Sequence, residues 1–421
     1  MNSYLIVVLI FILLHFLLSL TVERLNLGCI QTSLPEEFRA WYDAEKYKKA
    51  QMYLRETTGL SLLSGSVYTV MTIAFILLGG FNLVDIAVRA LELSSILTGL
   101  VYTAVLLTAA GLLNLPFAAY ETFVIEARYG FNTTSVKTFI ADIFKICTLS
   151  VLLGGPLLAL VLWFFEQAGP HAWLYCWAAL CGFQLCMMYA APVIIMPLFN
   201  RFTPVPAGDL QTAIASYARA QNFKIKGLFT MDGSKRSSKS NAFFSGIGRF
   251  RRVVLFDTLI EKHSLPELLA IVAHEIGHYK KHHILKHLCM SWAVSGCMFF
   301  ILSVFLENPH LFAAFKMEHI SIYASLVLFA FLFAPVDTLL SIAANALSRR
   351  NEYEADCFAA ATTGSPEAMI SALKKLSIDN LASLTPHPLK VVTAYSHPPV
   401  LQRIRALQRL AGAGATAGAN T

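Results

Sequence analysis

Apolar residues do not recur along this chain at the spacing of a soluble fold; they come in long blocks. Seven stretches of about 20 largely apolar residues stand out, at roughly 4–22, 60–86, 95–120, 143–165, 173–199, 287–306 and 319–345. About 20 such residues in a helix cross the hydrocarbon core of a bilayer. The first stretch has no Lys or Arg before it and no small-x-small cleavage site after Thr21, so it reads as a retained helix and not as a signal peptide. Two segments break the pattern. Residues 200–286 are polar, with alternating runs at Lys226–Met231, Ser240–Phe244 and Arg252–Phe256 that predict two or three strands, and 232–239 reads as a polar loop. Residues 346–410 predict helices broken at Gly364-Ser365-Pro366 and around Pro386, Pro388 and Pro398-Pro399. The Ala-Gly run 411–421 predicts a disordered tail. The expected organisation is a five-span region 1–199 with polar loops at 23–59 and 121–142, a polar segment 200–286, two spans within 287–345, and a second polar segment 346–410 before the tail.

Composition sharpens this. With 56% apolar and 14% charged residues, the chain is far from the roughly 25% charged of a soluble domain, and disorder is excluded with it. The net charge of +7 is a matter of placement. With the N-terminus outside, 31 of the 33 Lys and Arg fall in inside segments, and only Arg89 and Lys316 fall outside. That asymmetry fixes orientation by the positive-inside rule and accounts for the charge. No aromatic–basic interleaving points to nucleic acid, and no nucleic-acid partner is expected. The eight Cys include no C-x-x-C pair, so neither a disulfide framework nor a thiolate metal site is indicated.

The sharpest motif is His274-Glu275-Ile276-Gly277-His278, within LPELLAIVAHEIGHYKKHHILKHL at 265–288. Ser264 can cap the helix, Pro266 suits its first turn, and Leu268, Leu269, Ile271 and Val272 continue a buried face. His274 and His278 then stack one turn apart and can share one zinc. Glu275 is rotated by about 100° and can act as a general base on water. A pair of surface histidines on a polar face would give the same five letters, but the apolar flanks favour the metal reading. His282 lies eight residues, about 12 Å, from His274 and is too far to ligate the same ion. The three-His pattern fails too, because Lys281 and Ile284 stand where it needs Gly and His. His282, His283 and His287 read as interfacial or solvated. The best third ligand is in Ser348-Arg349-Arg350-Asn351-Glu352-Tyr353-Glu354-Ala355-Asp356. Glu352 can bind the ion, and Asp356, one turn on, can accept a hydrogen bond from a ligating imidazole. Glu354 points elsewhere and reads as solvated.

These residues resemble the type I CAAX prenyl proteases, integral-membrane zinc endopeptidases, over roughly 36–410. The resemblance runs through Pro116-Phe117, Tyr120, Phe123-Val124-Ile125-Glu126, Gly130-Phe131-Asn132, Ile195-Met196-Pro197-Leu198-Phe199-Asn200, Ser240-Asn241-Ala242-Phe243-Phe244, Val254-Leu255-Phe256-Asp257-Thr258-Leu259, the His-Glu helix, Ser348 to Asp356, and Ser396-His397-Pro398-Pro399. It implies an α-helical polytopic membrane protein with seven spans around an intramembrane chamber and a gluzincin-type metallopeptidase domain of helices and a small sheet. It implies one Zn²⁺ per chain on His274, His278 and Glu352, with Glu275 catalytic. It implies that Asn241 and Ala242 lie on an edge strand pairing with the substrate backbone, and that His397 and Arg403 lie near the bound peptide, with His397 at the oxyanion. The implied substrate is a peptide or protein, prenylated at a C-terminal Cys, that loses its last three residues. Taken alone, Asn241 reads equally as a turn residue, His397 as a loop end and Arg403 as a solvated helix charge. Asp337, in the last span, can line a chamber or make a packing hydrogen bond.

The chain has no long insertion around its last span, and the Ala-Gly tail carries no endoplasmic-reticulum retrieval signal. Both point to a multi-pass protein of a bacterial inner membrane with its site facing the cytoplasm, where prenylated substrates are in question. Two rival functions fit parts of the sequence. One is a quality-control protease that degrades misfolded membrane proteins. The other is a polytopic metal transporter with the His cluster as loading site, against which stand the position of the ligands outside the spans and the base beside the first His.

Overall fold

The computed structural model describes residues 2–31, 33–245 and 252–418. Among the described residues, seven helices are long and apolar enough to cross a membrane: α1 (Ser3–Gly28), α2 (Ala44–Leu77), α3 (Ser95–Glu126), α4 (Val136–Gln167), α5 (Gly169–Phe199), and two later ones. Polar residues start several of them. The Asn2 side chain accepts from the Tyr4 N–H at 2.8 Å, Asp43 from the Glu45 N–H at 3.2 Å, and Ser135 from the Thr138 N–H at 3.1 Å. The second span, expected at 60–86, ends earlier. Gly79 takes the left-handed conformation at φ 74°, and a separate helix, Gly80–Arg89, follows. A Cβ at Gly80 would lie 2.3 Å from the Phe75 ring, so the corner needs glycine.

A four-stranded sheet sits in the polar segment: β1 (Phe202–Pro204), β2 (Gly227–Met231), β3 (Ala242–Ser245) and β4 (Arg252–Phe256), in the order β1-β2-β4-β3. β2 and β4 are parallel, and β3 pairs antiparallel with β4, Ala242 opposite Leu255. β3 is therefore an edge strand among the described residues. The strand runs expected from alternation match to within two residues, and β1 is additional.

Helix α6 (Leu265–Lys280) carries a complete capping box. The Ser264 side chain meets the Glu267 backbone, and the Ser264 N–H donates to Glu267 Oε2 at 2.8 Å. Its apolar face, Leu268, Ile271, Val272 and Ile276, joins Val253 and Leu255 of β4 in one core. At His282 (φ 58°) the chain turns, and α7 (His283–Phe305) begins at once as the sixth span. The seventh, α8 (Ile322–Thr363), is 42 residues long, about 63 Å. It continues well past the predicted end of the last span at 345 into the polar region. α9 (Pro366–Asp379) and α10 (Val400–Gly418) close the fold against α6 and α8. Against the expected disorder of 411–421, residues 411–418 continue α10, and 419–421 lie outside the described residues.

The polar segment is tied to the spans by specific bonds. Arg236 makes a bidentate pair with Asp142 at 2.8 and 3.0 Å. Lys239 donates to Glu126 at 3.0 Å, and Glu126 also accepts from the Tyr53 hydroxyl. Glu126 ends a π-helical turn of α3, Glu121–Glu126, a local widening of the kind that re-aims side chains.

Candidate active site

Sequence places His274 and His278 one turn apart on α6, and the crossing of α6 over α8 completes the cluster. The crossing is close because Gly277 faces α8. A Cβ there would meet Phe358 Cδ1 at 3.1 Å and the Ala355 Cα and carbonyl oxygen at 3.2 and 3.3 Å. Ala355 is fully buried, so two small residues meet at the contact. Glu352, almost one turn before Ala355, then reaches the two imidazoles.

His274 Nε2 and His278 Nε2 lie 3.1 Å apart. Glu352 Oε2 is 3.5 Å from His274 Nε2, and Oε1 is 3.2 Å from His278 Nε2. Tetrahedral ligands at about 2.0–2.1 Å from one zinc would stand about 3.3 Å from one another. The two imidazole nitrogens approach that value, Glu352 faces them with a different oxygen each, and one donor atom from each of the three residues lies within 4.8 Å of the others. Glu352 Oε2 is buried without an aligned hydrogen bond, and the cation it faces is the Arg403 guanidinium, with Nη1 at 3.0 Å. Charge agrees: Glu275, Glu352 and Asp356 bring three carboxylates to one guanidinium, Arg403. The residues present therefore fit a divalent ion, and zinc in particular by donor type.

Asp356 stands behind His274, with Oδ1 at 2.9 Å from Nδ1. The distance suits a hydrogen bond, but the ring N–H points off the line, because His274 Nδ1 has no aligned partner. Burial works against a charge on His274, yet the Asp356 and Glu352 carboxylates more than offset it and raise its pKa to about 9. Arg403 is 8% exposed. Its Nε and Nη2 donate to Asp356 at 2.8 and 2.6 Å, and Nη1 lies 3.0 Å from Glu352 Oε2. The guanidinium is thus paired with both carboxylates, Asp356 and Glu352.

Glu275 follows His274 on α6 and is rotated about 100° from it. Burial pushes its carboxyl up, while the neighbouring His274 and His278 and the Phe244 backbone of β3 pull it back. The base and the edge strand are therefore in contact. Asn241 precedes β3. It is exposed, its side chain accepts from the Ala242 N–H at 2.9 Å, and its carbonyl accepts from the Phe256 N–H at 3.1 Å. Ala242 is half-buried against the α6 core. His397 has an exposed side chain with Nε2 at 3.4 Å from Glu352 Oε1, and its Nδ1 lies 2.9 Å from Ser396 Oγ. It stands at the open side of the cluster.

Two expectations fail. His283 is not interfacial: it is 1% exposed, and its Nδ1 lies 3.0 Å from His278 Nδ1. Glu354 is not merely solvated: its Oε2 lies 3.2 Å from His283 Nε2. No helical periodicity could show this, because the left-handed residue His282 interrupts the helix between His278 and His283. His282 itself is exposed, and His287 meets Asn351 at 3.1 Å.

A His-Glu-x-x-His helix, a third acid from a second helix and an edge strand beside the base, at the end of seven apolar helices, define an integral-membrane metallopeptidase. The comparisons narrow the class. Residues 25–201 match the family described as the CAAX prenyl protease N-terminal region with five membrane helices, and residues 204–411 match peptidase family M48. The chain is 34% identical to a CAAX prenyl protease 1 homolog of Arabidopsis thaliana over 89% of its length and 90% of the relative's. It is 31% identical to the homolog of Homo sapiens over 90% and 89%. The crystal structure of S. mikatae Ste24p superposes with a TM-score of 0.92 at 30% identity, covering 97% of this chain and 99% of that one. The chain belongs to the M48 CAAX prenyl protease 1 family, a family of multi-pass membrane zinc metallopeptidases.

Proposed function

We propose that this protein is a zinc-dependent endopeptidase that trims the C-termini of membrane-associated peptides, prenylated at Cys in the CAAX manner, with its site on the inner face of a cell membrane. The observation that carries this is the meeting of His274, His278 and Glu352, with donor atoms within 4.8 Å of one another, and Glu275 near β3, an edge strand among the described residues. The identity to proteins named CAAX prenyl protease 1, over nine-tenths of their length, supports the substrate class. The inner-face assignment rests on the 31 basic residues of the inside segments. A pocket of about 300 Å³ between α1, α2 and α3 mixes polar His15, Ser19, Ser64 and Asn114 with apolar Phe16, Leu113 and Phe117. The exposed Asp337 on α8 supports a water-lined interior between the spans.

His274, His278 and Glu352 would hold the zinc, which supplies Lewis acidity toward a water and the scissile carbonyl. Arg403 and Asp356 hold the ligands in place. An extended peptide adds to the free edge of β3, with Asn241 and Ala242 at the start of the pairing. Glu275 takes the proton of the attacking water and returns it to the leaving amine, and its upward shift suits that exchange. His397, on the open side, can donate from Nε2 to the carbonyl oxygen as charge builds there. The test is cleavage of farnesylated and plain peptides by the detergent-purified chain. Glu275→Gln should keep one bound zinc and lose hydrolysis by about 10²–10⁴-fold. Full activity in that variant would overturn the mechanism, and equal cleavage of both peptides would overturn the substrate class.

A further inference from the structure

His278 must present a bare Nε2 toward Glu352 and His274 to serve as a ligand. A neutral imidazole then carries its proton on Nδ1. That atom lies 3.0 Å from His283 Nδ1, which must therefore accept and be bare. The His283 proton is then on Nε2, 3.2 Å from the Glu354 Oε2 carboxylate, which accepts. One tautomer assignment satisfies every contact, and it leaves the ligand electron pair of His278 pointing at the cluster.

We propose that His283 and Glu354 form a positioning arm for His278: a carboxylate–imidazole–imidazole chain that fixes the tautomer and rotation of the ligand. The proposal rests on the metal reading above. The backbone is shaped for it. His282 adopts φ 58°, a conformation costly to a residue with a Cβ, and this turn brings His283 back over a ring five positions earlier. His283 is 1% exposed, so its imidazole is committed to these two partners. Glu354 is anchored in turn by Arg350 at 3.1 Å and Lys286 at 3.4 Å. The arm mirrors the Arg403–Asp356 pair behind His274. Each ligating imidazole then has a carboxylate-terminated partner on α8, Asp356 directly and Glu354 through His283.

Zinc affinity of the detergent-purified full chain, by competition with a chromophoric chelator, tests this. Partners of this kind are worth roughly 10–100-fold in metal affinity, and His283→Leu should lose that much. His283→Asn places an amide oxygen near the position of Nδ1 and should recover most of the affinity. Cobalt substitution should give the wild-type absorption spectrum in His283→Asn and an altered one in His283→Leu. Equal affinity in the wild type and in both variants overturns the arm, and so does equal loss in both. If His283→Leu fails to fold, Glu354→Ala in place of Glu354→Gln carries the same test. Gln can still accept from His283 and should keep the affinity, Ala cannot and should lose it, and the reverse or no difference overturns the proposal. Failure of the metal reading itself would look different: the wild type would bind no stoichiometric zinc, or His274→Ala would bind it equally well.

Discussion

Gly277→Ala tests whether helix spacing sets the metal geometry. The added methyl would sit 3.2 Å from the Ala355 Cα and 3.3 Å from its carbonyl oxygen, short of the 3.4 Å at which ordinary contact begins. Both atoms are backbone of α8, so no rotamer change relieves them. Only a separation of α6 from α8 does, by about 0.2 Å at the contact. Overpacking of this sort costs about 1–3 kcal/mol, while Ala in place of Gly in a helix returns about 1 kcal/mol. The net expectation is a loss of about 0–2 kcal/mol in thermal or denaturant unfolding. The larger signature is in metal binding. Ligand positions in such sites tolerate about ±0.2 Å, and Glu352 rides on the helix that moves. If binding must draw the helices back together, about 1 kcal/mol of strain opposes it, about fivefold in Kd. A variant that is more stable by about 1 kcal/mol and binds zinc as the wild type does would refute the reasoning.

Three further outcomes follow from the same geometry. Arg403→Leu leaves Asp356 and Glu352 buried without their counter-charge and should cost about 3–5 kcal/mol. Arg403→Lys cannot reproduce the bidentate pair, so unfolding data that place Lys level with Arg would refute its positioning role. Glu267 is held down from 4.5 to about 2 because its bonds to Lys375, Ser371 and Ser264 outweigh a burial penalty acting the other way. Its depressed pKa means the contribution is complete above about pH 4.5 and is lost as pH falls toward 2. The stability gap between wild type and Glu267→Gln should therefore shrink between pH 6 and pH 3, roughly following that titration, and a constant gap would refute it. Zinc at one hundred times its Kd should stabilise the wild type by about 2.7 kcal/mol and leave Glu352→Ala unmoved in the same melting assay.

The spans were legible because lipid demands unbroken apolar length, a demand visible in one dimension. The His-Glu helix was legible because Ser264, Pro266 and Glu267 mark its start and its ligands share one turn. Other features depend on chain crossings that leave no periodic trace. The second span was misread past Gly79 because the residues after the corner are as apolar as those before it. His283 was misread because the turn at His282 destroys the helical register through which a contact with His278 could be inferred. Arg403 taken alone reads as a solvated helix charge, and its burial against Asp356 and Glu352 comes only with the packing of α10 on α8. The motif told which residues bind; the partners that hold them in place became visible in the fold.

The membrane region is more than an anchor for this site. Glu352 lies on the same helix as Asp337, fifteen residues on, about 22 Å along one axis. The other two ligands lie on α6, which passes through the His282 corner straight into the sixth span. No flexible linker separates either ligand helix from its span. The two spans pack on one another, and α7 is fastened to α5 by the Trp177 indole N–H donating to the Trp292 carbonyl at 2.8 Å. The spacing of the three ligands is therefore a readout of how the sixth and seventh spans sit side by side. α8 runs from its span to Glu352 without a break, and α6 joins its span through one corner. His283 stands at that corner, as the first residue of the sixth span and the neighbour of His278.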